Sequence, residues 1–349
     1  MNRTNKQPHG LSLLALLQKI ERRTRTEMIP ADQQQSLMQT IMNILQTCTR
    51  PLAYPLPGPD IQDIPGQAHV KRALEVAAAG GHNILLVGPP GGGKVLLART
   101  VPSLLPTTSL PYPLREPLAS IGRDAFLGDA TTPGEIALAY GGVLLLHNLD
   151  TFDLSVLTLL AQAVETQGIS IPLQEGWVVL PASFILMATV KPCPCGFADD
   201  PTRACLCSLE EIVRYRLRIK EVVGICFDIE IEVPLIEEES LDAYPEESSA
   251  QIRQRVEAAR AIQQRRYAGT PHLWVNADLR SAEEMQHYCH LDTPGKDLLT
   301  AALRQLPLSP QQLLRVEGVA RTIADLAGSS AIQAIHLAEA IQYLSRFIR

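Results

Sequence analysis

A glycine-rich loop, placed between an apolar strand and a helix, is the segment of this sequence best suited to chemistry. Residues 88–95 match the pattern G-x-x-x-x-G-K-[ST] at every position except the last. In such a loop, backbone N–H groups turn toward phosphate oxygens and the lysine reaches the terminal phosphates. The alternative is a tight strand-to-helix turn with a surface lysine. We interpret the segment as a nucleotide-phosphate site formed by Gly88, Pro89, Pro90, Gly91, Gly92, Gly93, Lys94 and Val95.

The residues that normally bind the metal and activate water at such a site are replaced. Val95 stands where a Ser or Thr hydroxyl usually ligates Mg²⁺, and a valine methyl cannot do so. After the next apolar strand, where Asp and Glu are expected, the sequence has His147 and Asn148. Neutral histidine is a poor ligand for Mg²⁺, and an amide is no base. Asp150 or Asp153 would be the substitutes, although both lie beyond the predicted strand end.

Four of the seven cysteines are concentrated within 15 residues. They form two C-x-C pairs separated by nine residues, so two short arms can supply four thiolates. Zn²⁺ prefers four tetrahedral sulfur ligands, and a structural zinc site is therefore predicted. The alternative is a set of buried free cysteines without metal. The predicted ligands are Cys193, Cys195, Cys205 and Cys207.

Hydrophobic periodicity predicts an α/β core between helical regions. Apolar strands alternate with helices through residues 64–236, which indicates a parallel sheet covered by helices. Strands are expected at 83–87, 142–146, 183–189 and 226–233, and a hairpin at 166–181. The other segments are predicted to be a short N-terminal helical extension at 1–48, a proline-rich linker at 49–63, an acidic linker at 237–249 and an all-helical C-terminal domain at 250–349.

Composition and charge exclude several classes of protein. The 46% apolar and 19% charged residues are typical of a globular chain. No apolar run reaches the roughly 18 residues of a membrane span and no secretory signal is recognisable, so we expect a cytoplasmic protein without a membrane partner. The net charge is −6, and residues 124–190, which include the predicted hairpin, contain seven acidic residues and no Lys or Arg. This distribution argues against nucleic acid as a partner.

A series of short motifs accompanies the glycine-rich loop. They are Asp63-Ile-Pro-Gly-Gln67, Lys71-Arg-Ala-Leu-Glu75, Ala77-Ala-Ala-Gly-Gly-His-Asn83, Gly88-Pro-Pro-Gly91, Pro133-Gly-Glu-Ile136, Gly142-Val-Leu144, Pro192-Cys-Pro-Cys-Gly196, Arg214-Tyr-Arg216, Ile231-Glu-Val-Pro234, Ala320-Arg-Thr-Ile-Ala-Asp-Leu326 and His336-Leu-Ala-Glu-Ala340. Together they resemble the AAA+ ATPases of the magnesium-chelatase I-subunit and ComM-like group, over roughly residues 60–349. The Pro-Cys-Pro-Cys-Gly string favours the ComM-like side. The resemblance implies a P-loop AAA+ αβα core, a helical lid, and ring assembly with nucleotide at subunit interfaces.

The resemblance also locates three further catalytic positions, and all three are altered. Lys191 replaces the polar residue that positions water, Cys226 replaces the arginine that a neighbouring subunit supplies, and Gln311 replaces the lid arginine. An arginine finger alone is worth about 10³–10⁵ in rate. With the three replacements described above, six catalytic positions depart from the family pattern. Hydrolysis is therefore predicted to be weak or lost, and whether the chain is an enzyme stays open.

These observations predict a AAA+ ring subunit or adaptor that binds ATP or ADP without a clear requirement for Mg²⁺. Lys94 is retained, and Lys191 would place a positive charge near the terminal phosphate, in part replacing the metal. Two alternatives remain open. One is an active ComM-type ATPase motor, and the other is a regulatory subunit completed by an intact AAA+ paralogue. The expected partners are accordingly other copies of the chain, or such a paralogue, in a homo- or hetero-oligomeric ring.

Overall fold

The computed structural model describes the chain from residue 58 onward, apart from short gaps. The described residues are 58–108, 112–129, 132–173, 176–198, 200, 203–235, 246–270, 272–306 and 308–344. The predicted N-terminal helical extension, most of the proline-rich linker and most of the acidic linker lie outside them. Those segments, and the domain boundaries drawn through them, therefore stay predictions.

The described residues form an α/β core followed by helices, none of which is long and apolar enough to cross a membrane. The helices are α1 Ala68–Gly80, α2 Lys94–Leu104, α3 Arg123–Leu127, α4 Glu135–Leu138, α5 Leu154–Thr166, α6 Leu209–Cys226, α7 Ser249–Arg266, α8 Ala282–Tyr288, α9 Thr293–Gln305, α10 Pro310–Leu326 and α11 Ala334–Gln342. The strands are β1 Ile84–Val87, β2 Leu114–Arg115, β3 Val143–Leu146, β4 Gly168–Leu173, β5 Gly176–Pro181, β6 Ile185–Val190 and β7 Ile229–Glu232. Short 3₁₀ turns occupy Ile61–Asp63, Leu149–Thr151 and Asn276–Asp278.

Two compact units divide the described residues. The smaller unit comprises Thr107–Leu146 and Thr151–Phe184, and the larger unit comprises Gly58–Pro106, His147–Asp150 and the described part of Ile185–Arg349. In the smaller unit, β2 pairs with β3 in parallel, and β4 and β5 form an antiparallel hairpin. The hairpin that the sequence predicts is thereby confirmed.

The larger unit contains the strands that position the glycine-rich loop. β1 pairs in parallel with both β6 and β7, and Val87 lies opposite Val190 on one side and Glu232 on the other. Every residue of β1 and β6 is buried, which is usual for central strands of a parallel sheet. The strand order within this unit is β6-β1-β7. This parallel sheet and the helical C-terminal region confirm the α/β fold class and agree with a AAA+ core and helical lid.

One predicted strand has the wrong limits, because a helix occupies part of its range. The strand expected at 226–233 is β7, which begins only at Ile229 since α6 continues to Cys226. A capping box fixes the start of α6: the Ser208 hydroxyl accepts from the Glu211 N–H, and the Glu211 carboxylate accepts from the Ser208 N–H at 2.8 Å. The helical C-terminal region that the sequence predicts is present as α7 to α11.

A buried ion network lies within the helical region formed by α7 to α11. Arg321 and Asp325 of α10 are 1% and 2% exposed. The Asp325 carboxylate accepts from Arg321 Nε at 3.1 Å, from Arg266 Nη1 at 2.8 Å and from Asn276 Nδ2 at 2.9 Å. One carboxylate therefore joins α7, α10 and the turn that contains Asn276.

Candidate functional site

The glycine-rich loop follows β1 directly, and α2 begins at its lysine. A Cβ on Gly88 would lie 2.1 Å from the Val233 carbonyl oxygen, so only glycine allows β7 and the loop to approach this closely. Gly93, which precedes α2, has a φ of 79°, a left-handed backbone conformation that residues with a side chain rarely adopt. The loop therefore presents its backbone at the N-terminus of a helix, which is the usual arrangement for binding phosphate.

The Lys94 side chain folds back over this loop. It is 8% exposed, and its ammonium group donates to the carbonyl oxygens of Gly88 at 2.8 Å and of Pro89 at 2.6 Å. Burial, together with the nearby positive charge of Lys191, lowers the pKa of Lys94 to about 8. A bound phosphate would offer negative charge at this position and would raise that pKa again.

Lys191 lies at the same edge of the sheet as the loop. The Gly88 N–H donates to the Val190 carbonyl at 3.2 Å, which joins the end of β1 to the end of β6. Lys191 is the next residue after β6, and its ammonium group donates to the Pro194 carbonyl at 3.3 Å. The structure therefore brings together two lysines that are 97 positions apart in the sequence.

Among the residues that the structure describes, those that directly follow β3 form no cluster of three or more metal ligands. Asn148 is exposed and has a φ of 52°, and its N–H donates to the Thr189 hydroxyl at 3.0 Å. His147 is half-buried. Asp150 lies beside Tyr215 of α6, where burial and the Asp150 carboxylate together raise the pKa of the tyrosine above its ordinary value.

The other acid that the sequence offers as a substitute, Asp153, has a structural role at the start of α5. Its carboxylate accepts from the Ser155 N–H at 2.8 Å and caps that helix. Asp153 is thus engaged as a helix cap, whereas Oδ1 of Asp150 is buried without a hydrogen-bond partner among the described residues.

The family resemblance places the arginine that one subunit supplies to its neighbour at position 226, and this position is buried. Cys226, the last residue of α6, is 1% exposed, and its carbonyl accepts from the Asn83 side-chain amide at 2.8 Å. Asn83 also accepts from the Leu186 N–H at 2.8 Å, so it joins α6 to β6. An asparagine directly before a buried strand indicates a structural role, but the sequence does not show which elements Asn83 joins.

Gln311, which replaces the lid arginine, is exposed in the first turn of α10. Arg315 lies one turn later and contacts the end of α6. The Arg315 guanidinium donates to the carbonyls of Gly224 at 2.5 Å, Ile225 at 2.6 Å and Phe227 at 3.1 Å. It thus satisfies carbonyl groups at the C-terminus of α6. Arg315 was not among the predicted site residues, and only the fold brings it to this helix end.

The four predicted cysteines do come together. The sulfur atoms of Cys193, Cys195 and Cys205 lie 3.4 to 3.7 Å apart, and those of all four cysteines lie within 4.8 Å of one another. Tetrahedral zinc with Zn–S distances of about 2.3 Å has sulfur atoms about 3.8 Å apart, so the cluster has the size of a zinc site. Backbone N–H groups of Leu206 and Phe197 lower the pKa of Cys195 to about 6, whereas desolvation and the neighbouring cysteines raise the pKa of Cys205 and of Cys207.

Comparisons with known proteins cover nearly all of the described chain. Residues 60–112 and 108–241 match the family described as magnesium chelatase, subunit ChlI, and residues 246–344 match magnesium chelatase, subunit ChlI C-terminal. The competence protein ComM of Haemophilus influenzae is 39% identical over 312 residues, which are 81% of this chain and 60% of that protein. The uncharacterized protein YifB of Escherichia coli is 35% identical with the same coverage, and that of Salmonella typhimurium is 33% identical over 88% of this chain and 66% of the relative. The chain thus spans about 60% of the length of the first two relatives.

A central parallel sheet, a glycine-rich loop that opens α2 and a helical C-terminal region define a P-loop protein of the AAA+ class. Within that class, the chain belongs to the magnesium chelatase subunit ChlI family and is a ComM-like member of it. The family that the sequence motifs predict is therefore confirmed, and with it a protein of an ATP-binding class.

Proposed function

We propose that the protein binds ATP or ADP at the 88–95 loop, hydrolyses ATP weakly or not at all, and acts as a ring subunit or adaptor. The observation that carries this proposal is a retained phosphate loop among altered catalytic positions. The proposal is supported by the loop that opens α2 and by Lys94, whose ammonium group lies over that loop. The surrounding positions supply a valine, a histidine and an asparagine where a hydroxyl and two carboxylates are needed for Mg²⁺ and water.

Lys191 is proposed to stand in for part of the missing metal charge. It lies at the same sheet edge as Lys94, and its charge contributes to the lowered pKa of that lysine. Two ammonium groups would attract the terminal phosphates of a nucleotide without a divalent ion. Nucleotide binding is therefore expected to tolerate the removal of Mg²⁺.

Titration of the purified chain with a fluorescent ADP analogue tests the binding proposal. We expect saturable binding whose Kd changes by less than about threefold between Mg²⁺ and EDTA. Lys94→Met should weaken binding about 10- to 100-fold, because charge-assisted hydrogen bonds to phosphate are lost. Lys220→Met, which removes an exposed lysine of α6, is the matched control and should leave the Kd unchanged. Absence of saturable binding in both buffers would contradict the proposal.

Binding should also depend on pH in a defined direction. The pKa of Lys94 is about 8 in the protein alone and should rise when phosphate is bound, so binding takes up a proton above pH 8. The affinity is expected to be nearly constant below about pH 7 and to fall about tenfold between pH 7 and pH 9. Calorimetry in buffers of different ionisation enthalpy would detect the proton. Lys94→Arg, which stays charged throughout, should abolish the dependence.

A ring or a complex with an intact paralogue is the proposed form of assembly, since AAA+ proteins work as oligomers. The residues 124–190, which lack Lys and Arg, make nucleic acid an unsuitable client for this chain. Light scattering with and without ADP would measure the assembly. The alternative of an active motor is supported by the retained loop and Lys94, and the phosphate-release experiment in the Discussion separates it from the proposal.

We also propose that the four clustered cysteines hold one structural Zn²⁺, which fits the reducing conditions of the cytoplasm. The distances between the four sulfur atoms support this proposal. Protein purified without chelator should contain one equivalent of zinc by elemental analysis. A Cys205→Ser/Cys207→Ser variant should contain none, whereas Cys289→Ser, which alters a buried cysteine elsewhere, should retain it. Substantially less than one equivalent in the wild type would count against the site.

A further inference from the structure

The cysteine segment lies directly against the phosphate loop. A Cβ built on Gly196 would lie 2.6 Å from Cδ and 3.0 Å from Cγ of Pro90, so the backbone at Gly196 is in contact with the proline ring. Pro90 is the third residue of the phosphate loop. The position of Gly196 therefore limits where that part of the loop can lie.

Gly196 closes the turn that brings Cys193 and Cys195 together. Its N–H donates both to the Cys193 carbonyl at 3.0 Å and to the Cys193 sulfur at 3.2 Å, and its φ of 91° continues this turn. The same segment contains Lys191, whose Cδ would lie 3.5 Å from a Cβ on Gly196. Both the loop contact and the second lysine of the nucleotide site thus depend on residues 191–196.

The start of this segment is bonded to α6. Arg216 of α6 donates to the Pro192 carbonyl, at 3.4 Å from each of two nitrogen atoms. Beyond Pro192, the two cysteine arms are joined to each other through nine residues, and closing such a loop without a cross-link has an entropic cost. A metal bound by four thiolates would close it and would hold Gly196 in place.

We propose that Zn²⁺ binding by the four cysteines and nucleotide binding by the phosphate loop are positively coupled. This inference rests on the proposed nucleotide and zinc sites. Metal occupancy would keep Gly196 against Pro90 and Lys191 at the sheet edge, and loss of metal would release both. Coupling between two sites is commonly 5- to 150-fold, and we expect about tenfold. Because coupling is reciprocal, ADP raises the affinity for Zn²⁺ by the same factor.

The experiment compares the full chain in two metal states. Zinc-loaded protein and protein stripped with a chelator are titrated with ADP in buffer without Mg²⁺. The Kd for ADP should be about tenfold higher in the stripped protein and should recover when Zn²⁺ is added back. In the reciprocal measurement, saturating ADP should lower the Kd for Zn²⁺ about tenfold in competition with a zinc-binding dye.

A matched pair of proline variants tests the contact between Pro90 and Gly196. Pro90→Ala removes the ring atoms that touch Gly196 but keeps all four cysteines. With zinc bound, it should bind ADP about tenfold more weakly than wild type and should not respond further to chelator. Pro194→Ala makes the same chemical change at an exposed position of the cysteine segment, and it should keep the full response.

The possible outcomes separate the coupling from the proposals on which it rests. Equal ADP affinity in the two metal states would overturn the coupling and leave the nucleotide site standing. No ADP binding by zinc-loaded protein would contradict the nucleotide site itself, and no zinc uptake would contradict the metal site. If the stripped protein unfolds, the zinc-loaded Pro90→Ala variant provides the test. An ADP affinity equal to that of the wild type in this variant would overturn the coupling.

Discussion

Purified protein is expected to release phosphate from ATP at least about 10³-fold more slowly than a family member that has all six catalytic residues, and at the same rate in wild type and Lys94→Ala. The missing arginine alone accounts for a factor of about 10³–10⁵. Cys226 occupies its position, is 1% exposed, and ends a helix whose last carbonyl groups are bonded to Asn83 and Arg315. Neither the residue nor its surroundings can extend a positive charge toward a neighbouring subunit.

Nearby arginines do not compensate for this loss. Arg315 is the arginine closest in sequence to Gln311, and its guanidinium is bonded to three carbonyl groups at the end of α6. Withdrawing it would leave those carbonyls without their donor, which costs about 1–3 kcal/mol for a buried group. We therefore expect that Arg315 does not restore hydrolysis by replacing the missing arginine.

Steady-state release of labelled phosphate, measured with wild type and Lys94→Ala purified identically, checks this expectation. Turnover that Lys94→Ala abolishes would identify an active ATPase and would favour the ComM-type motor. A third reaction adds an intact family member to the wild-type chain. Release that exceeds the sum of the two separate rates, and that again requires Lys94, would favour a regulatory subunit completed by a paralogue.

Asp325→Ala is expected to lower the free energy of unfolding by about 3–5 kcal/mol, the usual effect of removing one partner from a buried charge network. The carboxylate is 2% exposed and accepts from two arginines and one asparagine. Its removal leaves Arg321, which is 1% exposed, without its carboxylate partner in the interior. Urea unfolding followed by circular dichroism measures the change.

Glu210→Ala provides the matched control for this variant. Glu210 also pairs with an arginine, Arg214, at 2.6 Å, but its side chain and that of the arginine are 80% and 75% exposed. Exposed pairs of this spacing contribute about 0.3–0.5 kcal/mol because water screens them. A change below about 1 kcal/mol for Asp325→Ala would mean that the helical region reorganises around the two arginines.

The parts of the fold that the sequence predicts well are those in which local pattern and burial agree. β1 and β6 are continuous apolar runs because both faces of a central parallel strand are buried, and the hairpin is bounded by glycines. In α6, by contrast, the local pattern and the burial disagree. Leu209, Val213 and Leu217 are 78%, 47% and 60% exposed, so its apolar residues do not mark one buried face. The serine and glutamate of its capping box were the available signal.

The candidate site also contains parts that the sequence predicts and parts that only the fold shows. The phosphate loop and the cysteine pairs are short motifs, and spacing alone is enough to recognise them. The proximity of Lys191 to Lys94 depends on β6 lying beside β1, which only the order of strands decides. The contact of Gly196 with Pro90 depends on the register of those strands and on a left-handed glycine, and neither can be derived from residue types.

The two hydrogen bonds that Lys94 makes to Gly88 and Pro89 have a consequence for ligand selectivity. Any ligand has to exchange with these carbonyl oxygens before the ammonium group can stabilise it. A nucleoside has no anionic oxygen to offer in return, and a monophosphate offers fewer than a diphosphate or triphosphate. At the proposed nucleotide site, the lysine is therefore expected to discriminate by the length of the phosphate chain, so that a site with little or no hydrolytic activity would still distinguish adenosine from ADP.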